Sequence, residues 1–245
     1  MRYFVLLLAL SSLASLPLHG QPTQPAARDA QTPAPKPAPK PAPNPMFGAL
    51  EFQLVSLRGI PQWQEVIAAI SAELDITAAC EAQRSACTPP KAALWRDEIA
   101  RVRGMPRREQ LLAINTFFNR IVTYRLDETA YNKPDYWATP LEFLTHAGDC
   151  EDYAIAKFVS LLELGYDNDD LRIVVVHDVL RNFAHAVLAV RQGDEFIFLD
   201  SLQDGLLSAE QVPQYVPEYS VNLTSGWAHI PRGELTPTLR RVSKI

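Results

Sequence analysis

Cysteine is scarce, with three residues in a chain of 245. In an oxidising compartment Cys80 and Cys87, close together between helical segments, are the natural disulfide pair. That leaves Cys150 a lone thiol, either an inert buried side chain or a reactive one. Basic clusters are sparse too. None exceeds the stretch from Arg101 to Arg108, and with a net charge of −5 the composition argues against nucleic acid as a partner. Long apolar runs are missing except for Tyr3 to Leu18, which falls short of the ~20 residues of a comfortable membrane span.

What is present divides the chain into three stretches. Arg2 followed by the apolar run reads residues 1–20 as a signal peptide, which predicts export; the poor cleavage context Leu18-His19-Gly20 leaves an uncleaved inner-membrane anchor open. Residues 21–45 are mostly Pro, Ala, Lys and Thr, a polyproline II composition that cannot bury a core and reads as a disordered tether. Residues 46–245 have ordinary apolar content and no second low-complexity break, enough for one domain with a sizeable core.

Within that domain the apolar spacing predicts helices over Pro61–Leu74 (Trp63, Val66, Ile67, Ile70 inward), Pro90–Val102 (Leu94, Trp95, Ile99) and Arg107–Ile121 (Leu111, Leu112, Ile114, Phe117, Phe118). Thr139 can cap a short helix whose first position is Pro140 and which Gly148 ends; another helix starts at Cys150 and stops at Gly165. β-branched and aromatic content marks strands over Leu171–Val176, Ala184–Val190 and Glu195–Leu199. The last two form a hairpin. If Gln192 and Gly193 are its central turn residues, Val190 faces Glu195 and, counting outward, His185 falls directly opposite Asp200.

A thiol at a helix start gains from the positive end of the helix dipole, and a neighbouring imidazolium stabilises its thiolate further. His185 is the candidate base, with Asp200 fixing its tautomer so that the other ring nitrogen faces the sulfur. His146 ranks second as base, and His177 has no evident partner. Asp149, Glu151 and Asp152 create a tension, since carboxylates around a sulfur oppose its ionisation. A hard cation such as Ca²⁺ would relieve it, although acidic residues in a first turn also serve simply to complement the dipole. Asp127, Glu128 and Asp135 are close enough upstream to add oxygens. The amide of Cys150 is one donor for a developing oxyanion, and Trp137 is a candidate for cleft wall or donor against a plain packing role.

Several runs together resemble one known family: Asn115 to Arg120, Asp135-Tyr136-Trp137-Ala138-Thr139-Pro140, Gly148-Asp149-Cys150-Glu151-Asp152-Tyr153-Ala154-Ile155-Ala156-Lys157, His185-Ala186-Val187-Leu188 and Leu199-Asp200. They look like the bacterial transglutaminase-like cysteine peptidases of the LapG type, over roughly Trp63 to Trp227. The resemblance implies an α+β, papain/transglutaminase-like fold in which the nucleophile's helix packs on an antiparallel sheet bearing His and Asp. It implies a periplasmic endopeptidase with Cys150, His185 and Asp200 as its catalytic residues, and Ca²⁺ held by Asp149, Glu151 and Asp152. The substrate implied is the N-terminal region of a large surface adhesin, cut at a paired-alanine site to release it and disperse biofilm. The partner implied is an inhibitory inner-membrane cyclic di-GMP receptor acting through its periplasmic domain. The chain departs from the family's usual pattern at Ala186 and Ser201. Two other readings stay open: a transglutaminase-type acyltransferase that resolves the same thioester with an amine, and a non-catalytic periplasmic module that holds a peptide in the cleft.

Overall fold

Proline at the first helical position opens three of the helices, where its missing N–H costs nothing. These are α1 (Pro61–Ala82), α2 (Pro90–Val102) and, after α3 (Arg107–Ile121) and the single turn α4 (Asp127–Ala130), α5 (Pro140–His146). The nucleophile candidate opens α6 (Cys150–Glu163), which ends where Gly165 takes φ +85°. The computed structural model describes residues 44–232, so the expected signal segment and the tether up to residue 43 lie outside the described residues. Among the described residues no helix is long and apolar enough to cross a membrane.

Seven strands form one sheet in the order β1-β7-β6-β2-β3-β4-β5, with every pair antiparallel. They are β1 (Leu50–Gln53), β2 (Leu171–Asp178), β3 (Phe183–Gln192), β4 (Glu195–Asp200), β5 (Gln203–Leu207), β6 (Tyr215–Val221) and β7 (Gly226–Ile230). Side chains alternate between the two faces of a strand, so a sheet buried on both sides has two cores. On one face Leu188, Val190 and Leu199 pack with Trp63, Trp95, Phe118, Phe143 and Phe158 from the helices. On the other, Val187, Ala189, Phe196, Phe198 and Tyr215 are covered by Met46 and Phe47. Each of these large side chains contributes about 1.5–3 kcal/mol on burial. α6 is buried around most of its circumference, from Asp152 to Leu161, which fixes Cys150 at the sheet.

The α+β class holds, and so do the predicted helices, with differences of detail. The first helix runs past Leu74 to Ala82, and a disulfide joins its Cys80 to Cys87. Leu94 and Leu112 do not face inward but are 51% and 45% exposed, because Trp95 and Leu111 already occupy the inward positions. Strands β1, β5, β6 and β7 have no counterpart in the sequence-based expectation.

The hairpin register also needs correction. Gln192 pairs with Glu195 and Leu188 with Leu199, so the central turn residues are Gly193 and Asp194 rather than Gln192 and Gly193. Gly193 has φ +65°, and glycine at the first central position is the signature of a type II′ turn. Val187, not His185, therefore falls in line with Asp200 when the register is extended. The displacement is two residues, an even step, so His185 and Asp200 keep the same face and meet as diagonal neighbours. Gly193→Ala is expected to cost about 1 kcal/mol through the left-handed backbone and to lower Tm by about 2–4 °C. Unchanged calorimetric melting would rule out this turn geometry.

Candidate active site

The α5–α6 junction is built to present one side chain. Thr139 and Glu142 form a capping box at the start of α5, Thr139 Oγ1 accepting from the Glu142 amide at 3.3 Å and Glu142 Oε2 from the Thr139 amide at 3.0 Å. Ala147 then adopts φ +71°, a conformation costly for a residue with a side chain. Gly148 follows, and a Cβ there would lie 1.8 Å from Asp152 Oδ2. That close approach is what glycine permits. Asp152, wholly buried, accepts from the Ala138 amide at 2.6 Å and from the Asp149 amide at 3.3 Å, so one carboxylate ties the loop before α5 to the start of α6.

The three acids flanking Cys150 are joined by two from upstream. Ligand oxygens of Asp127, Asp135 and Glu151, and separately of Asp127, Asp149 and Asp152, lie within 4.8 Å of one another. Asp127 and Asp135 were visible only as neighbours in sequence; Glu128 is exposed and stands outside these groups. Asp127 Oδ1 and Asp149 Oδ1 are buried and have no hydrogen-bond partner. Burial first, then the charges of Asp149 and Asp135, push Asp127 up from 3.8 to about 6, although the Tyr136 amide pulls the other way. Burial, with Asp149 and Asp152 close by, pushes Glu151 from 4.5 to about 10. An all-oxygen set with orphaned buried acceptors and strained carboxylates fits a hard divalent cation.

Cys150 is the first residue of α6 and is buried. Its Sγ–H donates to Glu151 Oε2 at 3.2 Å. Burial first, then the charges of Glu151 and Asp149, hold the thiol well above its ordinary value, and the Ala186 amide donating to sulfur offsets only part of this. Tyr124 also lies against the sulfur.

His185, on β3 immediately before Ala186, shares a hydrogen bond of 2.8 Å between Nε2 and Asp200 Oδ1. Both side chains are fully buried. Burial works to raise Asp200, but His185, the Leu202 amide and the Tyr215 hydroxyl more than compensate and hold it below the usual carboxylate range. No hydrogen bond joins the thiol to the imidazole, and His185 Nδ1 is buried without a partner. The expectation that the second ring nitrogen faces the sulfur has no hydrogen bond behind it; what β3 brings against Sγ is the backbone of Ala186. His146 is exposed at the end of α5, its ring edge-on to Tyr131, and His177 sits on β2 opposite Ala184. Trp137 is 7% exposed and packs edge-on against Trp63.

A cysteine at a helix start, set beside an antiparallel sheet that carries a buried His–Asp pair, defines the papain- and transglutaminase-like class of thiol enzymes. Within that class the chain belongs to the bacterial transglutaminase-like cysteine proteinases (BTLCP), whose family model matches residues 68–234. It is accordingly a cysteine peptidase of that family. It is similar to LapG of Legionella pneumophila: the calcium-bound structure is 35% identical, with TM-score 0.51, covering 56% of this chain and 77% of that one. An EGTA-treated structure of the same protein is 31% identical, with TM-score 0.54, covering 63% and 83%. No curated protein sequence matches the chain.

A carboxyl whose folded pKa is raised contributes most to stability when protonated, below its unfolded value, and loses that contribution as pH rises through the folded value. Chelated protein should therefore lose stability between pH 3.8 and about 6 through Asp127, and onward towards about 10 through Glu151. Added Ca²⁺ is expected to raise Tm more at about pH 8 than at about pH 5. Equal increments at both would sink these carboxylates as cation ligands.

Proposed function

We propose that this chain is a calcium-dependent periplasmic cysteine endopeptidase that cuts the N-terminal region of a large surface adhesin at a paired-alanine site, releasing it and promoting biofilm dispersal. One observation carries the catalytic part: the lone buried thiol of Cys150 opens α6 beside the sheet on which the fully buried His185 ring is bonded to Asp200 at 2.8 Å. In this reading Cys150 Sγ attacks the scissile carbonyl while His185 Nδ1 takes the thiol proton. The imidazolium, its Nε2–H donated to Asp200, passes that proton to the departing amine, and a thioester remains on sulfur. Water then attacks the thioester with the imidazole as base, which regenerates the thiol. The amide of Cys150 at the helix start stabilises the oxyanion formed in each half-reaction.

Asp127, Asp135, Asp149, Glu151 and Asp152 would hold the Ca²⁺. When bound, it supplies positive charge that offsets the carboxylates facing the sulfur. The calcium-bound and EGTA-treated structures of the Legionella protein support this assignment. The adhesin substrate, and restraint by an inner-membrane cyclic di-GMP receptor through its periplasmic domain, rest on family membership alone.

Digestion of adhesin N-terminal fragments with and without Ca²⁺ tests the proposal. Cys150→Ala is expected to abolish cleavage, and EGTA to suppress it until Ca²⁺ is restored. Cleavage by the alanine variant at the parental rate would remove Cys150 as nucleophile, and indifference to EGTA would remove the metal. Incorporation of a labelled primary amine, in place of two new peptide ends, would favour acyl transfer over hydrolysis.

A further inference from the structure

The carboxylate of Asp200 has more to satisfy than one imidazole. An ionised carboxylate offers about four acceptor positions, and this one is fully buried. Oδ1 accepts from His185 Nε2 at 2.8 Å and from the Leu202 amide at 2.9 Å. Oδ2 accepts from the Tyr215 hydroxyl at 2.7 Å. A buried acceptor left without its donor carries the full desolvation penalty.

We propose that Tyr215 is the positioning residue of the His185–Asp200 pair, its hydroxyl fixing which oxygen of Asp200 faces the imidazole. The inference rests on the reading above in which that pair serves Cys150. Tyr215 is 4% exposed and its hydroxyl is taken up by Asp200 Oδ2, so it acts through that carboxylate and not on substrate. Its ring is held from two sides and its backbone from a third. The backbone pairs with Asp178 of β2, Phe47 meets the ring edge-on with centroids 6.4 Å apart, and the His185 ring lies tilted at 5.6 Å. Phe47 in turn stacks on Phe198 at 4.5 Å, so residues 46–48 clamp the far face behind the pair.

The charged groups facing Tyr215 are Asp178 of β2, Arg181 in the β2–β3 turn and Asp200 of β4; Glu195 and Glu210 line the cavity of about 460 Å³ beside it. Burial first, then the Asp200 and Asp178 charges, push the phenol upward, so it remains a donor throughout the working pH range. Sequence reading offered no hint of it. Tyr215 lies in a segment with no chemical motif, and only the sheet order brings it to Asp200.

The test compares the full chain, Tyr215→Phe, Asp200→Asn and Cys150→Ala, all loaded with Ca²⁺. Phenylalanine keeps the ring against Phe47 and removes only the hydroxyl. On one peptide substrate kcat should fall about 10- to 100-fold, as for a lost hydrogen bond to a charged group, with KM within about twofold. The acid limb of the kcat/KM profile should move to higher pH, because Asp200 loses a donor that favours its ionised form. In the proton NMR spectrum the His185 Nε2–H resonance should move towards its position in Asp200→Asn. A fall in kcat with the acid limb and the resonance both unmoved would be a merely structural effect and would overturn the proposal, as would unchanged kinetics. If Cys150→Ala cleaves like the parent, the protease reading fails separately, and the resonance alone then decides: shifted supports Tyr215, unshifted removes it.

Discussion

Five carboxylates converge on the helix start that carries a buried thiol, and most of the local structure follows from managing their charge. Two like charges about 4 Å apart repel by about 4 kcal/mol at an effective dielectric constant of about 20. The helix dipole supplies about 0.3–1 kcal/mol per charge and at most about 2 kcal/mol. The dipole therefore loses. Protons or a cation must make up the difference, and the raised carboxyls of Asp127 and Glu151 register the strain left when protein groups act alone. Gly148, the positive φ of Ala147 and the double acceptor role of Asp152 are what hold the oxygens in place despite that repulsion.

The sheet answers from the other side with geometry that is insensitive to small errors of pairing. Strand period two means that any even displacement of register leaves both side chains on one face. His185 and Asp200 are diagonal rather than opposed, yet imidazole and carboxylate are long enough to close the gap to 2.8 Å. An odd displacement would have sent one of them into the helix-facing core among Leu188 and Leu199. Burial of both faces is what forbids it.

The helices, the place of Cys150 at a helix start and the hairpin that carries His185 and Asp200 were legible because each rests on local signals: Pro at a first turn, Gly at a last one, β-branched runs around a two-residue turn. The turn itself was misplaced because Gly193 satisfies a turn in either central position, but the second would need positive φ at Gln192 as well, whereas the first needs it at the glycine alone. Asp127 and Asp135 could be named as near in sequence but not as ligands, since their convergence depends on how α4 and the following loop fold back over α6. Tyr215 and the clamp at Phe47 were illegible for the same reason: β1, β6 and β7 assemble by long-range pairing that no short pattern encodes. Lys157 belongs with them. It sits inside a motif that reads as an ordinary amphipathic helix, yet it is fully buried, its ammonium has no hydrogen-bond partner, and burial, opposed by the charges of Asp200 and Asp204, pulls it down to about 7.

The electrostatics that suppress ionisation of Cys150 also govern what the thiol does when it is not at work. Thiolate, not thiol, is the species that attacks disulfides and is oxidised. A sulfur held protonated by burial, Glu151 and Asp149 is a poor partner for both reactions, and the two other cysteines are already consumed in the Cys80–Cys87 bridge. A lone cysteine can thus persist in an oxidising compartment. Under the proposed function, reactivity is conferred by neutralising the flanking carboxylates and bringing in the imidazole, whose Nδ1 is buried and unpartnered. The suppressed ionisation of Cys150 and the unbalanced negative charge beside it are consequences of the same crowded helix terminus.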